Sequence, residues 1–152
     1  MSATTVPAVR AALVTQIRAL LVAAGDSTTE VTYGHPGRTV PAKFVAVAQT
    51  EDGVGREQRT LPLRKTSSRT ETYDLRLILW VLGDHDPTSQ QSVTEQVWAL
   101  AAVIDDGLRD DPDLGGLVTW ALPSRFDDED FLLNEGRAAQ IVMSISVQVN
   151  RA

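Results

Sequence analysis

The run "AAQIVMSISVQVN" at 138–150 constrains the fold more than any other segment. Ala139, Ile141, Met143, Ile145, Val147 and Val149 take every second position, and Gln140, Ser144, Ser146, Gln148 and Asn150 lie between them, with Val142 the exception. Alternation of period two over this length fits a β-strand with one apolar face and does not fit a helix. Such a strand requires neighbours in a sheet and a layer of helices or a second sheet over its apolar side. The segment from about Thr70 to Leu82 repeats the pattern, with Tyr73, Leu75, Leu77, Leu79 and Val81 on one face. Its other face is polar at Thr70, Thr72, Asp74 and Arg76 but apolar at Ile78, Trp80 and Leu82. That half-and-half face predicts cover over the second half of the strand, for which a helix is the natural candidate.

Two helices are legible. From about Val6 to Ala24, an apolar stripe of Val6, Val9, Leu13, Ile17, Leu20 and Ala24 recurs at helical spacing. Thr5 is placed as its N-cap, Pro7 in its first turn and Gly25 just past its end. Arg10 and Arg18 interrupt the apolar run, so it reads as an amphipathic helix rather than a signal peptide, and no segment reads as a bilayer span. The second helix opens at Asp86-Pro87, with Ser92 and Glu95 offering another capping box. It buries Val93, Val97, Leu100, Ile104 and Leu108 and stops near 108–111, at Gly107 and Pro112. Shorter strands are expected at 31–33, 43–49 and 117–122. Hairpin pairing of 43–49 with 70–82, and of 117–122 with 138–150, makes the whole chain one α+β domain. The sheet has four to five strands, mostly antiparallel or mixed, with both helices on one face.

Residues 50–69, "TEDGVGREQRTLPLRKTSSR", stand apart. They have weak periodicity, five basic residues and few large apolar ones, and read as a long loop between the first two main strands. Loops of this length in a compact domain usually serve a function, so the segment is expected to be an extended hairpin arm or a loop that orders against a partner. Arg56, Arg59, Arg64, Lys65 and Arg69 are its candidate protein-contact residues. A second loop, "SRFDDEDFLLNEGR", places Asp127, Asp128, Glu129 and Asp130 together as a candidate acidic rim or channel lining. Residues 1–69 carry nine Lys/Arg against five Asp/Glu, a balance of +4, and residues 70–152 carry five against fifteen, a balance of −10. This asymmetry predicts surfaces of opposite sign on one small domain.

The search for reactive chemistry is short. With no cysteine there is no thiolate nucleophile, disulfide or cysteine metal site, and the redox compartment is left unstated. His85 within "GDHD" is flanked by two carboxylates, but neighbouring turn residues diverge and the stretch reads as a turn with a helix cap. "GDST" at 25–28 follows a helix rather than a strand and reads as a helix stop. "GVG" at 53–55 lacks the flanking elements of a dinucleotide loop, and "DDPDLGG" at 110–116 lacks the spaced acids of a calcium loop. Trp80, Trp98 and Trp120 read as core. The basic 56–69 stretch has no interleaved aromatic residues, which argues for protein or non-specific contacts over sequence-reading of nucleic acid. No catalytic, cofactor or metal site is expected, and the chain reads as non-enzymatic.

Taken in order, four segments carry a family resemblance: "PGRTVPAKFVAVAQ", "SSRTETYDLRLILWVLG", "DPTSQQSVTEQVWALAAVIDDGLRDDPDLGGLV" and "EGRAAQIVMSISVQVNRA". Together with the opening helix they resemble the tail terminator, or tail completion, proteins of long non-contractile-tailed bacteriophages, over about residues 6–151. The resemblance implies a ring, typically of six subunits, on the head-proximal end of the tail tube, where it ends tube polymerisation and meets the head-completion (stopper) proteins. DNA would pass through the channel without specific binding, no membrane is implied, and the family has no catalytic residues to carry over. The rival expectations are another head–tail connector or neck ring, and more distantly a small ligand-binding α+β domain with a concave pocket.

Overall fold

The computed structural model describes residues 4–60 and 67–151, with side chains described for all of these except 56–60, 67–69 and 151. Seven elements follow in chain order: α1 (Val6–Ala23), β1 (Glu30–Tyr33), β2 (Lys43–Thr60), β3 (Ser67–Leu82), α2 (Pro87–Asp110), β4 (Trp120–Leu132) and β5 (Arg137–Arg151). The strands form one sheet in the order β1-β2-β3-β5-β4, parallel at β1–β2 and antiparallel elsewhere. The fold is α+β in two layers, as the alternation required.

The core lies between one face of this sheet and both helices. Leu75, Leu77 and Leu79 of β3 and Ile141, Met143 and Ile145 of β5 are completely buried there, with Leu13 and Ile17 of α1 and Ile104 and Leu108 of α2. Register confirms the shared face, since Leu77 pairs with Met143 and Leu79 with Ile141 across β3–β5. The buried stripe of α1 is Val9, Leu13, Val14, Ile17 and Leu21, rotated slightly from the expected one. Leu20 instead meets α2 at Gly107, where an added Cβ would collide with the Leu20 side chain. Gly107 therefore lies inside α2 as the point of closest helix approach and does not interrupt it.

By length and composition α1 is apolar enough to cross a bilayer, contrary to the expectation that no segment is. Its buried stripe is used by the sheet instead, and its two arginines explain how. Arg10 donates from Nη2 to the Val47 carbonyl at 2.9 Å and sits 4.1 Å above the Tyr33 ring. Arg18 donates to the Val31 carbonyl at 2.9 Å. Both charged heads thus stitch α1 to β1 and β2 while their stems lie along the helix flank.

Caps depart from the expectation in an instructive way. Asp86 opens α2 as foreseen, its carboxylate accepting from the Thr88 N–H at 3.0 Å. The helix runs through Ser92 without a second start. Thr5 precedes α1 but makes no capping bond to the helix backbone. Its hydroxyl and N–H both donate to the Glu71 carboxylate of β3, at 2.6 and 2.9 Å, and Tyr73 Oη lies 3.0 Å from the same hydroxyl. Buried Glu71 thus anchors the start of α1 from the helix-side face of the sheet, with its negative charge at the positive end of the helix dipole.

Candidate interaction surface

Of the two expectations for residues 50–69, the extended hairpin arm holds and the long loop between the main strands does not. β2 continues to Thr60 and β3 begins at Ser67, paired from Thr50↔Leu75 to Thr60↔Ser67. The segment is mostly an antiparallel hairpin arm, and residues 61–66 lie outside the described ones. Weak periodicity concealed the strands, because two irregularities break the alternation, between Val47 and Thr50 and between Glu51 and Val54. At the second, Asp52 and Gly53 have φ of 54° and 78°, a left-handed pair that inserts extra residues and re-aims the strand. Arg56 and Arg59 lie on β2 beyond these bulges and Arg69 on β3. Arg64 and Lys65 fall outside the described residues, as do the side chains of the other three.

The acidic run is also strand rather than loop. β4 extends to Leu132, ten residues beyond the expected end, and carries Asp127, Asp128, Glu129 and Asp130 as an exposed edge strand. Register places Asp127 and Glu129 opposite Val142 and Gln140 on the helix-free face, and Asp128 and Asp130 opposite Ile141 and Ala139 on the helix side. Acids have low strand propensity, and a run of four suggests a loop from sequence. Pairing with the apolar β5 overrides that preference. Arg125 bonds Asp127 at 2.9 Å, the one ion pair made by the run among the described residues.

Basic arm and acidic edge occupy opposite corners of the sheet. Three strand spacings, about 14 Å, separate β2 from β4. Along the strands, Arg56 is level with Glu71, while Asp128 is level with Ile141 and hence Leu79. Eight residues make that offset about 26 Å.

The helix-free face of the sheet has two zones. At one end Trp80 lies between Phe44 and Phe131, with ring centroids 6.3 and 5.4 Å away, alongside Ile78 and Val142. This aromatic group, and not a helix, gives the second half of β3 its cover. Trp80 is half-buried and its indole N–H has no partner among the described residues. Further along, Glu51 accepts from Arg76 at 3.4 Å and Ser144 at 3.0 Å, and Ser146 donates to Asp74 at 2.7 Å. Of the other tryptophans, Trp98 on α2 is 40% exposed against Phe126, and Trp120 is half-buried, so none of the three is core as expected.

A cleft of about 440 Å³ lies between the end of α1 and β1 and is lined by Arg18, Leu21, Val22, Asp26, Thr29 and Val31 among others. Both Asp26 oxygens are already engaged by Thr28 and Thr29. Partial burial pushes the Asp26 carboxyl up, but these four bonds outweigh it and hold its pKa below 3.8. The described residues hold no group of three or more potential metal ligands.

No known protein family matches the chain, and no curated protein matches it. Among solved structures, a chain of the "Virion of native gene transfer agent (GTA) particle" superposes on 99% of this chain and 100% of its own length. The TM-score is 0.62 at 13% sequence identity. The two chains share a fold from end to end.

Proposed function

We propose that this protein is a structural virion subunit of the tail-terminator type. It assembles into a ring, typically of six copies, on the head-proximal end of a phage-like tail tube, ends tube growth and offers the surface on which the head docks. One observation carries the reading: the fold of the whole chain, with almost nothing left over on either side, is that of a chain in a gene transfer agent virion. The sequence resemblance over residues 6–151 points the same way. In this reading the work is done by surfaces, so the protein is not an enzyme and its partners are its own copies, the tube protein and the head-completion protein. The basic hairpin arm is the contact element, the acids of β4 stand at the rim where copies meet, and those at the end of α2 lie near the channel, where they repel passing DNA.

A neck ring of another kind remains the nearest alternative, since it would need the same edge chemistry. Position separates the two: a terminator decorates the head-proximal tip of bare tail tubes. Mixing the purified protein with tube ends and imaging by negative stain tests this, with rings at one tip expected. Naked tips, together with single-subunit mass in solution, would sink the proposal. Charge reversal of Arg56, Arg59, Arg64 and Lys65 together should abolish capping if the arm is the contact element.

A further inference from the structure

Resting on the ring reading, we infer that neighbouring copies join edge to edge, the arm segment of β2 in one copy pairing with the acidic edge strand β4 of the next. Four observations converge. First, among the described residues no strand pairs with the outer side of β4, where the Ala121 N–H near its start is taken by the Pro112 carbonyl, and β2 is covered by β1 only at Phe44–Val47, so its stretch from Thr50 to Thr60 is a second free edge. Exposed strand edges of this length are templates for strand addition.

Second, these are the two opposite edges of one sheet. Because β2-β3-β5-β4 is antiparallel throughout, β2 and β4 run in opposite directions, and addition of one copy's β2 to the next copy's β4 continues the antiparallel ladder. An interface that uses two different patches is head-to-tail and propagates until it closes.

Third, the edges match in charge. Beyond its second bulge, residues 54–60 of β2 carry Arg56 and Arg59 against Glu57, a balance of +1, whereas Asp127, Asp128, Glu129 and Asp130 stand on β4 with only Arg125 beside them, a balance of −3. Pairing β4 with itself would oppose acid to acid across the ladder, which is unfavourable, so the same charges that invite the arm forbid a symmetric dimer. Fourth, the bulges at 48–49 and 52–53 interrupt β2 at the start of its free stretch. The diagonal placement of arm and acids makes each copy sit offset along the strand direction from the last. Such stagger is what lets a sheet close on itself with tilted strands.

The experiment uses three full-length variants: an edge variant, Asp128→Lys with Asp130→Lys; an arm variant, Arg56→Glu with Arg59→Glu; and the chain carrying all four. Assembly is read by mass in solution and by negative stain, alone and with tube ends, after circular dichroism has confirmed the fold. Each two-site variant is expected to drop to single-subunit mass. An equimolar mixture of the two, and the four-site chain alone, should regain the wild-type assembly, because both restore opposite charges across every contact. Assembly of either two-site variant at wild-type level overturns the edge pairing while leaving the ring intact. Failure of the four-site chain to reassemble overturns it equally. A wild-type protein that is single in solution and ignores tube ends removes the ring reading and this inference together.

Discussion

The two faces of one sheet behave as different materials. On the helix side, Leu77 and its neighbours on β3 and β5 are sealed beneath α1 and α2. One residue along, on the opposite side, Ile78 sits in a half-buried aromatic zone that no helix covers, and beyond it the face turns into a hydrogen-bonded network of Glu51, Arg76, Ser144, Asp74 and Ser146. The same strands thus solve two problems. One face holds the domain together, and the other is stable enough in water yet remains available to a neighbour.

Adjacent substitutions give the sharpest test. Leu77→Ala should cost about 3–4 kcal/mol in denaturant unfolding, because a fully buried leucine leaves a cavity the helices cannot close. Ile78→Ala should cost about 1 kcal/mol, since part of its surface already meets solvent and the gap can fill with water. Equal losses would erase the distinction between the faces. Glu71→Ala comes next, at about 1–2 kcal/mol, for it strands the buried Thr5 N–H and leaves the Thr5 hydroxyl with Tyr73 alone. Hydrogen exchange should show the first turn of α1 opening before the rest. At the small end, Arg76→Ala should change stability by no more than about 0.5 kcal/mol, because its bond to Glu51 is long and 41% of the arginine side chain is exposed.

Acid tests the helix side differently. Bonds from the Thr88 N–H and hydroxyl hold the Asp86 carboxyl below its ordinary 3.8, with Arg137 adding a smaller pull, and Asp26 is lowered as well. A lowered folded pKa means that the unfolded chain takes up protons first. The stability these groups contribute is therefore present above pH 3.8 and lost as pH falls below it. Thermal melts from pH 6 to pH 2 should show the fall, and Asp86→Ala should flatten the curve as well as lower it slightly. An unchanged pH profile in that variant would remove the cap from the account.

Much of the sheet could be read directly. The period-two runs at 70–82 and 138–150 placed the buried side chains of β3 and β5 apart from Glu71, Ala138 and Ser144, because a strand between two neighbours has one face committed to the core. Elsewhere the local signal misled. Asp127 to Asp130 look like a solvated loop until β5 is seen to hold them in register, and residues 50–60 look structureless because bulges scramble their alternation. Gly107 looks like a helix stop until Leu20 is found against it.

By itself, then, the sequence determined the fold class, the two helices, the central strands and the separation of basic from acidic halves. Periodicity and charge are local properties and survive without knowledge of the partners. Only the tertiary structure decided that the basic segment is an arm, that the acids form an edge strand, and that the two lie at opposite corners of one sheet. Strand edges and their neighbours are set by pairing between residues far apart in the chain, and no window of sequence contains that information.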